Sequence, residues 1–175
     1  QAEDGIRDIY SWLEFRRVLI RSLNGNITFS ENKVLCFEEF IDDYDNGGQV
    51  SEKFSKTDIS FSPNLIANAS LVIIPFKDAE ITFLNKYVSR QYLDNTSRKS
   101  RSIEGYFIQD LRLSYELKKK FFKSTTFILQ LNNLLNKLYV SNGYTFSYLY
   151  GGLVTENYYY PMAPFNFMAG INISL

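Results

Sequence analysis

The sequence contains no histidine, one cysteine and one tryptophan among its 175 residues. Without histidine it lacks the commonest acid–base catalyst and metal ligand. Cys36 stands alone, which rules out an internal disulfide and a cysteine metal cluster. Neither sign of charge is in excess, with 19 Lys and Arg against 19 Asp and Glu. A nucleic-acid binder carries a basic surplus, so nucleic acid is not an expected partner. No run of about 18 apolar residues is present, so no transmembrane helix is expected. No cleavable leader stands at the start.

What the sequence has in quantity is aromatic rings: 13 Tyr and 15 Phe, with aromatics at 17% of the residues. That content suits rings held at a membrane–water boundary. The missing long apolar run does not exclude a membrane strand, because barrel strands alternate and give a weak hydropathy signal.

The first 22 residues stand apart. Residues 1–8, QAEDGIRD, resemble the translation of a sequencing adaptor, and residues 12–22 resemble its remainder in the same frame, with Ile20 in place of the usual Phe. Residues 9–11 would be index sequence between them. On this reading residues 1–22 are excluded from fold reasoning, and the reading frame is truncated at its N-terminus. The competing reading is a genuine short amphipathic helix.

From Leu23 onward the pattern is strand, turn, strand. Strands are expected over residues 33–44, 64–75, 80–92, 103–117, 124–132 and 165–175. Pro75 closes the second of these, since proline donates nothing to a ladder. Residues 45–62, 93–102 and 133–160 are expected as long loops. PFKD and KKKFFK are short links.

Alternate strand side chains face opposite ways, so a period of two is the test. In residues 103–117 one face collects Ile103, Phe107, Leu111, Leu113, Tyr115 and Leu117. The other collects Glu104, Tyr106, Asp110, Arg112, Ser114 and Glu116. In residues 124–132 Thr125, Phe127, Leu129 and Leu131 oppose Thr126, Ile128, Gln130 and Asn132. In the last strand Phe165, Phe167, Ala169, Ile171, Ile173 and Leu175 oppose Asn166, Met168, Gly170, Asn172 and Ser174. A barrel strand needs about 9–11 residues to cross the hydrocarbon layer, whereas globular strands mostly run about 5–6.

Four charged residues on one strand face cannot enter a dry core without large desolvation costs. They suit an aqueous or plugged lumen, or bulk solvent. Short links alternating with long loops match periplasmic turns and extracellular loops. The expected fold is therefore all-β: an antiparallel transmembrane β-barrel segment of about six strands. Phe107, Phe127, Phe167 and Ile171 are expected on one face of a continuous tilted sheet. Two rivals carry the same alternation. One is a soluble lipocalin-like β-domain holding an apolar ligand inside. The other is an outer-membrane barrel that transports nothing.

Three stretches carry a family resemblance: KYVSRQYLDNTS at residues 86–97, NNLLNKLY at 132–139 and YYYPMAPFNFMAGINISL at 158–175. Together with FEEFIDDYD and TDISFSPNLIANASL upstream, they resemble the C-terminal barrel of TonB-dependent outer-membrane receptors of the Bacteroidetes. The family's final residue is usually aromatic, and here it is Leu175. The resemblance implies a 22-stranded barrel with an N-terminal plug, which residues 23–175 would complete. It implies import of a scarce nutrient such as a siderophore, cobalamin or glycan. The implied partners are TonB, the plug, the barrel-assembly machinery, the lipid bilayer and a small-molecule or glycan ligand. The implied place is the outer membrane of a Gram-negative bacterium. A segment of this length is not expected to close or transport by itself.

The chemical candidates have plainer readings beside them. Asp42, Asp43 and Asp45 with Gly47 and Gly48 hint at a Ca²⁺ loop but miss the EF-hand spacing and its distal Glu, so a solvated strand top is expected. Lys118, Lys119, Lys120 and Lys123 around Phe121 and Phe122 read as a solvated turn or an anionic-lipid contact. Residues 132–139 read as strand end plus turn rather than helix. Tyr144, Tyr148, Tyr150, Tyr158, Tyr159 and Tyr160 read as an interfacial girdle or loop packing, with a ligand-facing loop as the alternative. Lys86 and Arg90 fall on a polar face that suits plug or lumen salt bridges, with an anionic ligand as the alternative. The carboxylate pairs Glu38/Glu39 and Asp42/Asp43 are strand neighbours that point apart. With no histidine and no glycine-rich phosphate loop, no catalytic, metal or cofactor residue is expected, and no ligand-binding residue can be assigned.

Overall fold

The computed structural model describes residues 19–119 and 122–174. Among them lie twelve strands: β1 (Leu19–Phe29), β2 (Lys33–Asp43), β3 (Gln49–Asp58), β4 (Leu65–Ile74), β5 (Ala79–Val88), β6 (Gln91–Tyr92), β7 (Ser102–Ile103), β8 (Tyr106–Lys119), β9 (Phe122–Asn132), β10 (Val140–Leu149), β11 (Leu153–Pro161) and β12 (Asn166–Ser174). The described chain is all-β. Its three sheets are one of six strands in the order β1-β4-β5-β8-β9-β12, one of four in the order β11-β10-β2-β3, and the pair β6-β7. None of them closes on itself.

The six-stranded sheet is an antiparallel meander. At one end the chain reverses within residues 75–78, and β8 ends there beside the start of β9, with Lys119 paired to Phe122. At the other end it leaves the sheet for residues 30–64, 89–105 and 133–165 before returning. The expected alternation of short and long connections is therefore present. Leu19–Ser22 of the adaptor-like stretch form the start of β1, with a register shift at Arg21. Residues 1–18, Lys120, Phe121 and Leu175 lie outside the described residues.

Two expected loops are corrected. Residues 45–62 contain β3, which pairs with β2 from Lys33↔Asp58 to Asp42↔Gln49. Residues 133–160 contain β10 and most of β11, paired from Val140↔Pro161 to Leu149↔Leu153. Both segments are polar or tyrosine-rich because one of their faces is solvated, and the ladder is made by backbone groups whatever the side chain. Their reversals are marked by glycines in the left-handed region, Gly47 at φ 77° and Gly48 at φ 88° in one, Gly151 at φ 63° in the other. A third correction concerns β2. It belongs to the four-stranded sheet, and β1 fills the place expected for it in the main sheet. The two hairpins join where β10 runs parallel to β2 at Tyr148↔Asp42 and Leu149↔Asp43.

Burial is concentrated at the end of the long connections, called the rim below. Ile41, Val88, Leu93 and Ile103 are buried there, together with Asp43, Thr57, Gln91, Thr96, Arg101, Ser102 and Asn133. Among the described residues, Ala79, next to a tight turn, is the one buried apolar residue at the opposite end.

Candidate functional site

The main sheet has two chemically distinct faces. Its register aligns Leu23, Leu71, Phe83, Leu111, Leu131 and Phe167 in one row across all six strands. The next row on the same face is Ile20, Ile73, Ile81, Leu113, Leu129 and Ala169. Tyr115, Phe127 and Ile171 follow. Phe107 lies on this face by alternation, so the four marker residues share one surface. Many of these side chains are exposed, including Leu23, Phe107, Phe127, Phe167 and Ile171. Two amides on the face, Asn85 and Gln109, answer each other: Gln109 Nε2 donates to Asn85 Oδ1 at 2.7 Å. That bond lowers the cost of placing two amides among apolar neighbours.

The opposite face carries Ser22, Val72, Thr82, Arg112, Gln130 and Met168 in one row. Lys86 is here as expected, above an open depression of about 430 Å³ that also meets Asn24, Asn26, Asn68 and Asp110.

The rim is organised by residues 93–102. The Arg101 side chain is 1% exposed. Its Nη1 donates to Glu39 on β2 and to Asp94 Oδ2 at 2.8 Å. Burial pulls the guanidinium pKa down, and the two carboxylates more than offset this, leaving it above the ordinary arginine value. Asp94 is in turn held by Thr96, whose N and Oγ1 donate to it at 3.0 and 2.6 Å. Arg98 pairs with Glu52 on β3 and lies over the Phe54 ring at 5.7 Å. Ser97 Oγ donates to Asp58 at 3.0 Å and accepts from the Asp58 N–H at 2.7 Å. Lys33 Nζ reaches the same carboxylate at 2.5 Å and holds its pKa below the usual aspartate value. On the other side Asn157 and Tyr159 of β11 donate to the carbonyls of Ser100 and Ser102 at 2.8 and 3.2 Å. One loop thus clasps both hairpins. Arg101 Nε and Nη2 and Glu39 Oε2 have no partner among the described residues.

Alternation puts Asn157 and Tyr159 inward, so Glu156, Tyr158 and Tyr160 face outward beside Tyr144, Phe146 and Tyr148 of β10. Tyr144 and Tyr158 stack at 4.9 Å between ring centroids, Phe146 and Tyr158 at 6.0 Å, and Tyr44 meets Tyr148 edge-on at 5.6 Å. Glu156 accepts from the hydroxyls of Tyr148 at 2.8 Å and Tyr158 at 2.5 Å. These bonds lower the carboxylate pKa and raise both phenol pKa values. The expected tyrosine cluster is therefore two populations. Tyr159 packs inward, while Tyr144, Tyr148, Tyr158 and Tyr160 form an outward aromatic stripe. Tyr150, 70% exposed, sits at the hairpin tip.

The remaining candidates resolve as follows. Asp43 accepts from the N–H groups of Asp45 and Asn46 and from the Asn46 side chain, which hold its pKa low. Both Asp45 oxygens accept from the Gly151 N–H, tying the two hairpin tips together. Glu38 and Glu39 do point apart, Glu38 toward Lys53 at 3.8 Å and Glu39 toward Arg101. Arg90 lies just past β5 and pairs with Glu104 at 2.6 Å. Residues 132–139 are strand end plus turn. Asn133 and Asn136 adopt φ 51° and 48°, and Asn133 bridges Lys137 and Ala163 through its amide. Sequence reasoning missed Arg101, because a single arginine within RKSR gives no sign of which cation will be buried.

No protein-family model, no curated protein and no solved structure matches this chain.

Proposed function

We propose that residues 23–175 form the closing part of an outer-membrane β-barrel of the TonB-dependent type, which imports a scarce nutrient. The observation that carries the membrane half of the reading is the pair of apolar rows running unbroken across six strands. An uncovered apolar surface of that breadth marks an interaction site rather than a solvated face. Its height supports a bilayer. From Phe107 to Leu117, β8 runs roughly 33 Å at about 3.3 Å per residue. Tilted by ~40°, that projects to about 25 Å, the height of the apolar band in such barrels. The tight turns at one end and the long excursions at the other support the periplasmic and extracellular ends respectively. The polar face, with Lys86, Asp110 and Arg112, suits a lumen and a plug. The transport half rests on the family resemblance of residues 86–97, 132–139 and 158–175.

Two neighbours on β8 that face opposite ways test the membrane half. In lipid vesicles Leu111→Arg is expected to cost about 2–4 kcal/mol of folding free energy, and Ser114→Arg close to none. Equal costs would refute it. For the transport half, the reading frame extended upstream is expected to encode a plug and more alternating strands. A complete short gene beginning near Leu23 would refute that half.

A further inference from the structure

Asn-Gly occurs three times in the sequence, at Asn24–Gly25, Asn46–Gly47 and Asn142–Gly143. Asparagine is chemically labile, and most so before glycine. No Cβ shields the glycine nitrogen, which can attack the asparagine side-chain carbonyl. The attack needs a nitrogen that water reaches and a backbone free to bring the side chain back onto it. The fold grants both to one of the three pairs.

Asn24 and Gly25 are held in the β1–β4 ladder, opposite Ser70 and Ala69. Asn142 and Gly143 are held in the β10–β11 ladder, opposite Tyr160 and Tyr159. Gly143 is buried against the Tyr158 carbonyl, and its N–H donates to Asn142 Oδ1 at 2.8 Å. That bond points the hydrogen, and not the open face of the nitrogen, at the side-chain amide. Asn46 and Gly47 lie in the reversal between β2 and β3, beyond the last ladder pair Asp42↔Gln49. Both are exposed, and Gly47 stands at φ 77°. Among the described residues nothing lies within 4 Å of where a Cβ on Gly47 would be.

The Asn46 side chain also holds this tip together. Its Nδ2 donates to Asp43 Oδ2 at 3.1 Å, while Asp43 Oδ1 accepts from the N–H groups of Asp45 and Asn46. Asp45 in turn accepts from the Gly151 N–H at 2.7 Å and ties the tip to the other hairpin. An acid in place of the Asn46 amide sets a second carboxylate against Asp43 where a donor stood.

We propose that the fold selects Asn46 as a spontaneous deamidation site, and that the product releases the β2–β3 tip from Gly151. The Gly47 nitrogen gives up its proton and bonds to Asn46 Cγ. The Cγ–Nδ2 bond breaks, and Nδ2 takes up a proton and leaves as ammonia. Water then opens the succinimide at either carbonyl, leaving aspartate, or isoaspartate with the main chain routed through the side chain. The inference stands on the fold of the rim and does not require the membrane reading. The test incubates the protein, expressed from its full reading frame, in mildly alkaline water enriched in heavy oxygen and maps the incorporated label by peptide mass spectrometry. Asn46 is expected to convert at least about tenfold faster than Asn24 or Asn142, because the two ladders must open locally first. In guanidinium the three rates are expected to converge. A rate at Asn46 no faster than at the other two overturns the inference, and so does a preference that survives denaturation. For the product, Asn46→Asp is expected to make the Gly151 N–H exchange about tenfold faster, the equivalent of one lost hydrogen bond to a charged group, with the amides of β8 and β9 unmoved. Unchanged exchange at Gly151 overturns it as well.

Discussion

Arg101→Met separates the charge at the centre of the rim from its volume. The native guanidinium is 1% exposed and faces Glu39 at 13% and Asp94 at 22% side-chain exposure. Removing one partner of a buried ion pair costs about 3–5 kcal/mol, because the other charge is left uncompensated. Asp94 keeps its two bonds from Thr96 and some contact with water, so most of the cost falls on Glu39, which already has one oxygen without a partner. The low end, about 3 kcal/mol, is therefore expected. At about 1.4 kcal/mol per factor of ten, that is roughly a hundredfold in a local opening equilibrium. Amide hydrogen exchange reads it directly, since Leu93 N–H donates to the Arg101 carbonyl and Arg101 N–H to the Arg98 carbonyl. Both amides are expected to exchange about a hundredfold faster in the variant, with those of β8 and β9 unmoved. Adding Glu39→Gln and Asp94→Asn is expected to recover most of the protection, because a neutral set replaces a broken pair. Unchanged exchange in residues 93–102, or equal loss throughout the main sheet, would refute the placement of Arg101 as the clasp.

Glu156→Gln removes the anion that accepts from Tyr148 and Tyr158, so both phenols are expected to ionise nearer the ordinary value of 10.0 than in the native chain; absorbance titration near 295 nm reads the change. Asn133→Ala is expected to destabilise more than Asn133→Gly, by about 1 kcal/mol, because both lose the amide bridge but only alanine meets the left-handed penalty at φ 51°; denaturation midpoints decide this. Asp43 and Asp58 both have folded pKa values below the ordinary 3.8, so their contribution is present above that value and is lost as pH falls through the lower folded value. Exchange protection at Asp45, Asn46 and Asp58, normalised to intrinsic rates, is therefore expected to hold at neutral pH and to fall below about pH 4. Protection that fell between pH 7 and 5 would contradict it.

The main sheet was legible because its strands are long and one face is continuously apolar: Leu111, Leu113 and Tyr115 declare their side without reference to any partner. The tight turns were legible for the complementary reason that Pro75 and the lysine run interrupt that pattern. The rim hairpins were not. β3 carries polar side chains at most positions and β10 mixes Ser, Asn, Gly and Tyr, so period two is present in the backbone without a matching hydrophobic alternation. The glycines at 47, 48, 151 and 152 were the available signal for those reversals, and they were read only as loop. The tyrosines were seen as a cluster, yet their division depended on knowing that residues 157 and 159 face residues 93–102. Register decides that, and composition does not. Arg101 was hidden most completely, since its burial depends on Glu39, which lies 62 positions away.

Two different kinds of interaction hold the two halves of the chain. At the rim, polar groups answer named partners: Arg101 to Glu39 and Asp94, Asp58 to Lys33 and Ser97, Asp45 to Gly151. Along the main sheet the apolar rows have no protein cover among the described residues, and β1 and β12 each leave one edge unpaired. Backbone ladders contribute little net free energy in water, where the unfolded chain is equally well solvated. An uncovered sheet with two free edges is therefore also an aggregation template in water. On the membrane reading proposed above, what adjoins it would be hydrocarbon along the rows, further strands along the edges, and water or a polar plug on the face of Lys86 and Arg112. Sequence change should follow the same division. On that reading one hydrophobic residue can stand for another along the apolar rows, because hydrocarbon would require apolarity and not shape. In residues 93–102 a change of one atom's charge matters, because each partner there is a single group at a fixed distance.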